Sequence, residues 1–277
     1  MRILICGDVV GKSGRDAVHK HLPHAIEKLD VDFTIVNGEN AAHGYGITRK
    51  ICDGFFDLGV DAITTGNHVW KQKEIISWIG EEPRVLRPLN FPEGTPGKGA
   101  TQFEARGGQR IMVVHPMGRQ FMEPSDDPFA AVDDALRNYR LGKAASGNLD
   151  AIVVDIHAEA TSEKMGMAHY LDGRVSAVVG THTHIPTADA QILPGGTAFQ
   201  TDLGMCGDYN SVIGMKKEAA IERFTTRMPA GRLEPAEGEG TLCGVLIETD
   251  GHTGYAKRIE PLRLGSRLAE VWPAVSG

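Results

Sequence analysis

The chain reads as an α/β protein of two packed β-sheets flanked by helices, and three observations predict it. Short apolar runs bounded by Gly, Asn, Asp or Pro recur along the sequence, as buried strands do. Stretches with helical apolar spacing lie between several of them. The later part of the chain changes character, with strand-like runs following one another.

The first run, Arg2–Cys6, leads to Arg15–Leu29, where Val18, Leu22, Ile26 and Leu29 share a helical face. Phe33–Val36 and Arg49–Leu58 repeat the strand-helix order, as do Ala62–Thr64 and Lys71–Ile79. Ile111–Val114 precedes a helical stretch at Pro128–Leu141, and Ala151–Asp155 and Val175–Val179 are further strands. Such alternation argues for a mainly parallel sheet. Ala188–Leu193, Thr197–Gln200, Thr241–Thr249 and Tyr255–Glu260 predict a second, more antiparallel sheet, the last two strands joined by the turn Asp250-Gly251-His252. The Pro/Gly-rich pieces Arg87–Gly99 and Met228–Gly240 are short enough to be surface excursions, so one domain over residues 1–277 is expected.

Composition narrows the class. With 41% hydrophobic and 23% charged residues, the chain can bury a core and is not intrinsically disordered. Apolar runs such as Ala151–Val154 stop at four residues, far short of the roughly 20 that cross a bilayer, so no membrane is expected as a partner. The apolar run at the N-terminus meets Asp8 at once, which excludes a signal-peptide core and places the expected location in the cytoplasm. A formal charge of −7 would repel an extended nucleic-acid duplex. Cys6, Cys52, Cys206 and Cys243 form no CxxC pair, which fits packed, reduced thiols. The 34 glycines point to many tight loops.

Metal-ligand residue types fall at strand exits. Asp8 follows the first strand, Asn37 through Asn40 the second, and Asn67-His68 the third. His157 follows Ala151–Asp155, and Gly180-Thr181-His182-Thr183-His184 follows Val175–Val179. In an open parallel sheet these five loops share one edge and supply one crevice. In an extended loop His182 and His184 point the same way, so each can bind a different ion. Imidazole and carboxylate suit Mn, Fe, Zn or Ni, and a carboxylate such as Glu39 can bridge two ions about 3.5–4 Å apart. Amide oxygens of Asn67 and Asn40 would complete the shells without adding negative charge.

These motifs resemble the calcineurin-like metallophosphoesterases. More closely, GDVVGKSGR, NGENAAHGYGIT, TTGNHVWK, DIHAEATSEK, GTHTHIPTAD and TDLGMCGDYNSVIG are similar to the YmdB-like subfamily of bacterial phosphodiesterases. The resemblance implies a metallophosphoesterase-type sandwich of two mixed β-sheets. It departs from the wider superfamily in having Asp8-Val9-Val10 in place of Asp-x-His, and Glu39 in place of a bridging Asp. It implies Asp8, Glu39, Asn40 and His184 on one ion and Glu39, Asn67, His157 and His182 on the other, with Fe or Mn the expected metals. It further implies His68 as catalytic acid and 2′,3′-cyclic nucleoside monophosphates as substrates.

The expected chemistry follows from charge. Coordination lowers the pKa of water from about 15.7 to about 7, roughly 12 kcal/mol in making a bridging hydroxide at neutral pH. A phosphomonoesterase using the same ions, or a metal-dependent regulatory protein of low activity, are the alternatives.

Other residues have plainer readings. Gly7 to Ser13 falls one residue short of a phosphate-binding P-loop, so Gly11–Gly14 reads as a tight strand-to-helix connection. His43 and His115 read as solvated loop histidines, and Glu159 and Glu163 as support or a helix start. Thr201–Gly214 reads either as a lip over substrate or as a subunit contact in a possible homo-oligomer.

Overall fold

In the first strand, β1 (Arg2–Cys6), Ile3 and Ile5 join one apolar cluster while Leu4 and Cys6 join another. The period-two alternation of a strand thus puts β1 between two cores. The protein, a computed structural model, is described at residues 1–143, 148–226, 231–265 and 267–274. Residues 228–230 of the expected loop Met228–Gly240 lie outside them.

After β1 come β2 (Asp8–Val9), α1 (Gly11–Lys28), β3 (Phe33–Asn37), α2 (Arg49–Asp57), β4 (Ala62–Thr64) and β5 (Val85–Leu86). Then follow β6 (Ala100–Glu104), β7 (Arg110–Val114), α3 (Pro128–Leu136), β8 (Arg140–Leu141), β9 (Asn148–Leu149) and β10 (Ala151–His157). The remainder adds α4 (Thr161–Tyr170), β11 (Ala177–Thr181), β12 (Gln191–Ile192), β13 (Ala198–Gln200), β14 (Met205–Cys206), α5 (Lys217–Thr226), β15 (Leu242–Thr249) and β16 (Ala256–Leu264).

Two six-stranded mixed sheets result, in the orders β16-β15-β1-β3-β4-β5 and β12-β13-β11-β10-β7-β6. Their inner faces bury Ile3, Ile5, Phe33 and Ile35 with Ile111, Val113, Val153 and Val179. Helices α1 and α2 cover the outer face of the first sheet through Val18, Leu22 and Phe55. Helices α3 and α4 cover the second through Val132, Leu136 and Met167. The outcome is a four-layered sandwich of two mixed sheets between helices, as the α/β expectation required.

The late strands depart from expectation. They do not build a more antiparallel second sheet: the β15-β16 hairpin pairs antiparallel with β1 and extends the first sheet, while β12 and β13 edge the second. Each sheet keeps a parallel centre, because alternation along a strand does not say which open edge it will join. The helix expected at Lys71–Ile79 is only a 3₁₀ segment, Lys73–Ser77. Helix α3, capped by Asp127 accepting from the Phe129 and Ala130 amides, ends at Leu136, and Leu141 instead pairs with Leu149. Helix α1 begins at Gly11, inside the segment expected to be a connection. Helix α4 carries Glu163 in its first turn, in keeping with a helix start there, but its extent is masked in the sequence because Lys164 sits on its buried face beside Met167 and Ala168 and breaks the apolar period. All four cysteines are free and buried, and burial pushes the Cys52 and Cys243 thiols up.

Candidate metal centre

Both sheets deliver side chains to the same end of the sandwich. Asp8 lies on β2, held beside β14 by the Met205–Asp8 register. Glu39 and Asn40 follow β3, and Asn67 and His68 lie in a single 3₁₀ turn, Gly66–His68, after β4. His157 is the last residue of β10, and His182 and His184 follow β11. The expected single-sheet crevice is thus a junction between two sheets. Gly66 is at φ 53°, and a Cβ there would sit 2.6 Å from His157 Cε1 and 2.8 Å from Glu39 Cδ. Only glycine lets this turn approach so closely.

The donor atoms form two groups. Those of Asp8, Glu39 and His184 lie within 4.8 Å of one another, and so do those of Glu39, His157 and His182. Glu39 belongs to both. Asn67 Oδ1 is 2.9 Å from His157 Nε2, on the second group. Asn40 turns its Nδ2 toward Glu39 Oε2 (3.1 Å) and His184 Nε2 (3.2 Å), and its Oδ1 toward His68 Nδ1 (2.7 Å). To offer oxygen to the first group, that amide must turn over. His68 Nδ1 would then keep Glu39 Oε1, 2.9 Å away.

Hydrogen-bond partners fix the imidazole tautomers. The single Thr181 hydroxyl proton goes to Asp155 Oδ1 at 2.8 Å, so Thr181 Oγ1 accepts from His157 Nδ1 at 2.9 Å and leaves His157 Nε2 bare. His184 Nδ1 donates to the Ile213 carbonyl at 2.7 Å, leaving its Nε2 bare. Glu159 Oε2, 3.2 Å from His182 Nε2, takes that proton and leaves Nδ1 bare. His182 Nδ1 and His157 Nε2 then face each other at 3.1 Å, two lone pairs with no proton between them. Asp8 Oδ1 is buried with no hydrogen-bond partner. Unpaired carboxylate oxygens and converging lone pairs are costly unless a cation meets them. The residues fit two divalent ions.

Comparison with known proteins shows the family. The YmdB-like protein family matches residues 4–262. This chain belongs to the YmdB-like family. It is 50% identical over 260 residues to the Bacillus subtilis (strain 168) 2′,3′-cyclic-nucleotide 2′-phosphodiesterase, covering 94% of this chain and 96% of that protein. A Thermus thermophilus protein of known structure superposes with TM-score 0.88 at 44% identity, covering 96% of this chain and all (100%) of that one. A Mycoplasma pneumoniae phosphatase gives TM-score 0.87 at 33% identity, covering 96% and 93%.

In the YmdB-like chain the electrostatics of the cluster are strongly biased. Burial, then the neighbouring Glu39, raises the Asp8 carboxyl well above its ordinary range. Burial pushes Glu39 up too, but His157 and His68 outweigh it and hold it well below. Burial, then the neighbouring His157, pushes His182 down to about 3 from 6.5, and burial lowers His184. The sign of the pH dependence follows. As pH falls below about 6.5 the unfolded chain takes up protons that the folded histidines refuse. His182 and His184 are therefore each expected to cost the ion-free YmdB-like protein about 1.4 kcal/mol of stability per pH unit on acidification, opposed by Asp8, whose raised carboxyl takes up its proton in the folded chain first. Urea titrations of chelator-treated protein between about pH 7 and pH 4 measure this, and His182→Ala should flatten the decline.

Several residues that support the YmdB-like centre were misread or missed in sequence. His115 is not a solvated loop histidine: it is fully buried, its Nε2 accepting from the Gly66 amide at 2.9 Å and its Nδ1 donating to the Asp155 carbonyl at 2.9 Å. His182 and His184 lie at φ 97° and 67°, so the strand-like alternation expected of that loop does not hold. Thr183 between them is fastened instead, its amide (3.1 Å) and hydroxyl (2.6 Å) both donating to Asp202 Oδ2. Buried Lys164 completes this anchor, its Nζ 2.8 Å from Asp202 Oδ2. Residues 201–208 are buried, and only the end of Thr201–Gly214 reaches the cleft. Ile213 stands there at φ 47°, a conformation that costs a β-branched residue about 1–3 kcal/mol. No local pattern announces these contacts. Lys12 pairs with Asp16 on the exposed face of α1, and His43 is exposed as expected. Glu159 and Glu163 do act as support, Glu163 accepting from the Arg119 amide at 2.9 Å.

Proposed function

We propose that this chain is a metal-dependent phosphoric diester hydrolase that opens nucleoside 2′,3′-cyclic monophosphates. The observation that carries the reading is Glu39, shared by two groups of ligand atoms at the floor of a cleft of about 300 Å³. Asp8, Glu39, Asn40 and His184 would hold one ion, and Glu39, Asn67, His157 and His182 the other. Borderline nitrogen and oxygen donors suit iron or manganese. When bound, such ions neutralise phosphoryl oxygens and lower the pKa of water to about 7.

Water adds to phosphorus, the bond to the 2′ oxygen breaks, and the phosphate stays on the 3′ oxygen. The 2′ alkoxide is a poor leaving group and needs a proton. His68 lines the cleft, and with the Asn40 oxygen turned to the ion its Nδ1 keeps Glu39 Oε1, which assigns the transferable proton to Nε2. The Tyr45 ring stands edge-on to His68 at 5.2 Å and limits its rotation. His68→Ala is expected to lower turnover of alkoxide-leaving substrates by about 10²–10⁴-fold while sparing nitrophenyl esters and metal content. Equal losses on both substrate types would remove the acid role.

Among the described residues lining the cleft there is no Lys or Arg. A monoester dianion would lack a cationic clamp beyond the ions, which favours the singly charged diester. Purified protein loaded with Mn or Fe should be assayed against cyclic nucleotides, bis-nitrophenyl phosphate and mono-nitrophenyl phosphate. Preference for the first two is expected. Hydrolysis of the monoester alone would make the chain a phosphomonoesterase, and none at full metal occupancy would favour a regulatory protein.

A further inference from the structure

The cleft that holds the ligand groups is also lined by four apolar side chains, Tyr45, Ile213, Met215 and Leu233, of which only Tyr45 also serves the chemistry at phosphorus, through its contact with His68. Ile213 is 51% exposed although β-branched and aliphatic, and it stands at φ 47°. Its carbonyl is committed to His184, at 2.7 Å from Nδ1, so the backbone position is fixed by the metal centre while the side chain is left over the cleft. Holding His184 needs only a carbonyl and places no demand on the side chain. A strained glycine-like site that instead carries a bare aliphatic group beside the reaction centre points to a ligand surface.

We propose that Tyr45, Ile213, Met215 and Leu233 form a nucleobase subsite, so that the chain selects its substrate by the flat apolar face of the base as well as by the cyclic phosphate. This rests on the reading of the chain as a cyclic-nucleotide phosphodiesterase. The subsite is continuous with the ligand groups, since Glu39, His182 and His184 line the same cleft. Its volume, about 300 Å³, lies at the small end for ligand pockets, suiting one mononucleotide and not a longer chain. Contacts to the faces of bases are tolerant of base identity, because every base has a π face. Purine and pyrimidine substrates should both be accepted.

The test compares adenosine 2′,3′-cyclic phosphate with ribose 2′,3′-cyclic phosphate, which has the same reacting ring and no base. The manganese-loaded wild type should favour the nucleoside by about tenfold or more in kcat/KM, mostly through KM. Leu233→Ala and Ile213→Ala should each move that ratio toward one, whatever they do to the abasic substrate. Adenosine 3′-monophosphate binding, measured by calorimetry against ribose 3-phosphate, should lose its advantage in the same variants. A wild type that opens both substrates equally well, or variants that leave both ratios unchanged while melting as wild type does, would overturn the subsite and leave the phosphodiesterase standing. Failure of the wild type to open either substrate would remove both.

Discussion

Glu39→Gln is expected to abolish turnover and ion-dependent stabilisation together. The glutamate is 1% exposed and is the one carboxylate common to both groups of ligand atoms. Gln keeps its shape but supplies one neutral oxygen where two negative ones are needed, so neither ion retains its full charge complement. Ions of this kind contribute several kcal/mol to transition-state charge stabilisation, and each 1.36 kcal/mol is tenfold, so activity should fall by more than about 10³-fold. In the wild type, manganese at about 1,000 times its Kd should add roughly 4 kcal/mol to stability over chelator-treated protein. For a chain of this length that is a rise in Tm of roughly 10 °C. The variant should show almost none of it. The ion-free variant should melt somewhat lower than ion-free wild type, because His157 and His68 stabilise the ionised Glu39, and relief of Asp8, which Glu39 pushes toward protonation, offsets only part of that loss. Calorimetry with and without metal, alongside metal analysis, reads all three quantities. A Glu39→Gln protein that still bound two equivalents tightly would refute the bridging assignment.

Lys164→Met should be the most damaging single change to stability away from the donor atoms. Lys164 and Asp202 are both fully buried and 2.8 Å apart. Replacing the lysine leaves the carboxylate buried with only hydroxyl and amide donors, from Thr183 and Gly204. Breaking such a pair costs about 3–5 kcal/mol, roughly 10 °C in Tm. The double variant Lys164→Met, Asp202→Leu separates fold from function. It removes both charges and should recover much of the stability, since apolar replacement of a whole buried pair is often neutral. It cannot restore the two hydrogen bonds that fasten Thr183 between His182 and His184, so metal affinity should stay reduced by about 10–100-fold. Recovery of metal affinity in the double variant would show that the pair serves the fold alone.

The elements legible in the sequence are those whose own residues carry the signal. Arg2–Cys6 and Ala62–Thr64 are strands over the expected residues, because their apolar runs are bounded and buried. Asp8, Glu39, Asn67, His157, His182 and His184 are legible in the sequence as residues at or just past strand ends, and strand ends gather at one end of a sandwich; that they hold ions is the reading proposed above. What could not be read was reached through space. His115 is buried by Gly66 and Asp155, partners far from it in sequence. The extent of helix α4, beyond the start marked by Glu163, was hidden by Lys164, whose charge is neutralised by an aspartate 38 positions away. The left-handed backbone of His182 and His184 is set by Asp202 and Ile213, neither of which marks its role locally.

By itself the sequence determined the alternation of strands and helices, the two-sheet class and the residue types available to hold ions, since these depend on side-chain chemistry and short-range spacing. Only the tertiary structure decided which sheet each late strand joined and which nitrogen of His157, His182 and His184 is bare. Those outcomes depend on angles and distances between segments that the chain brings together only when folded, and hydrogen bonds between such segments leave no periodic trace in the order of the residues.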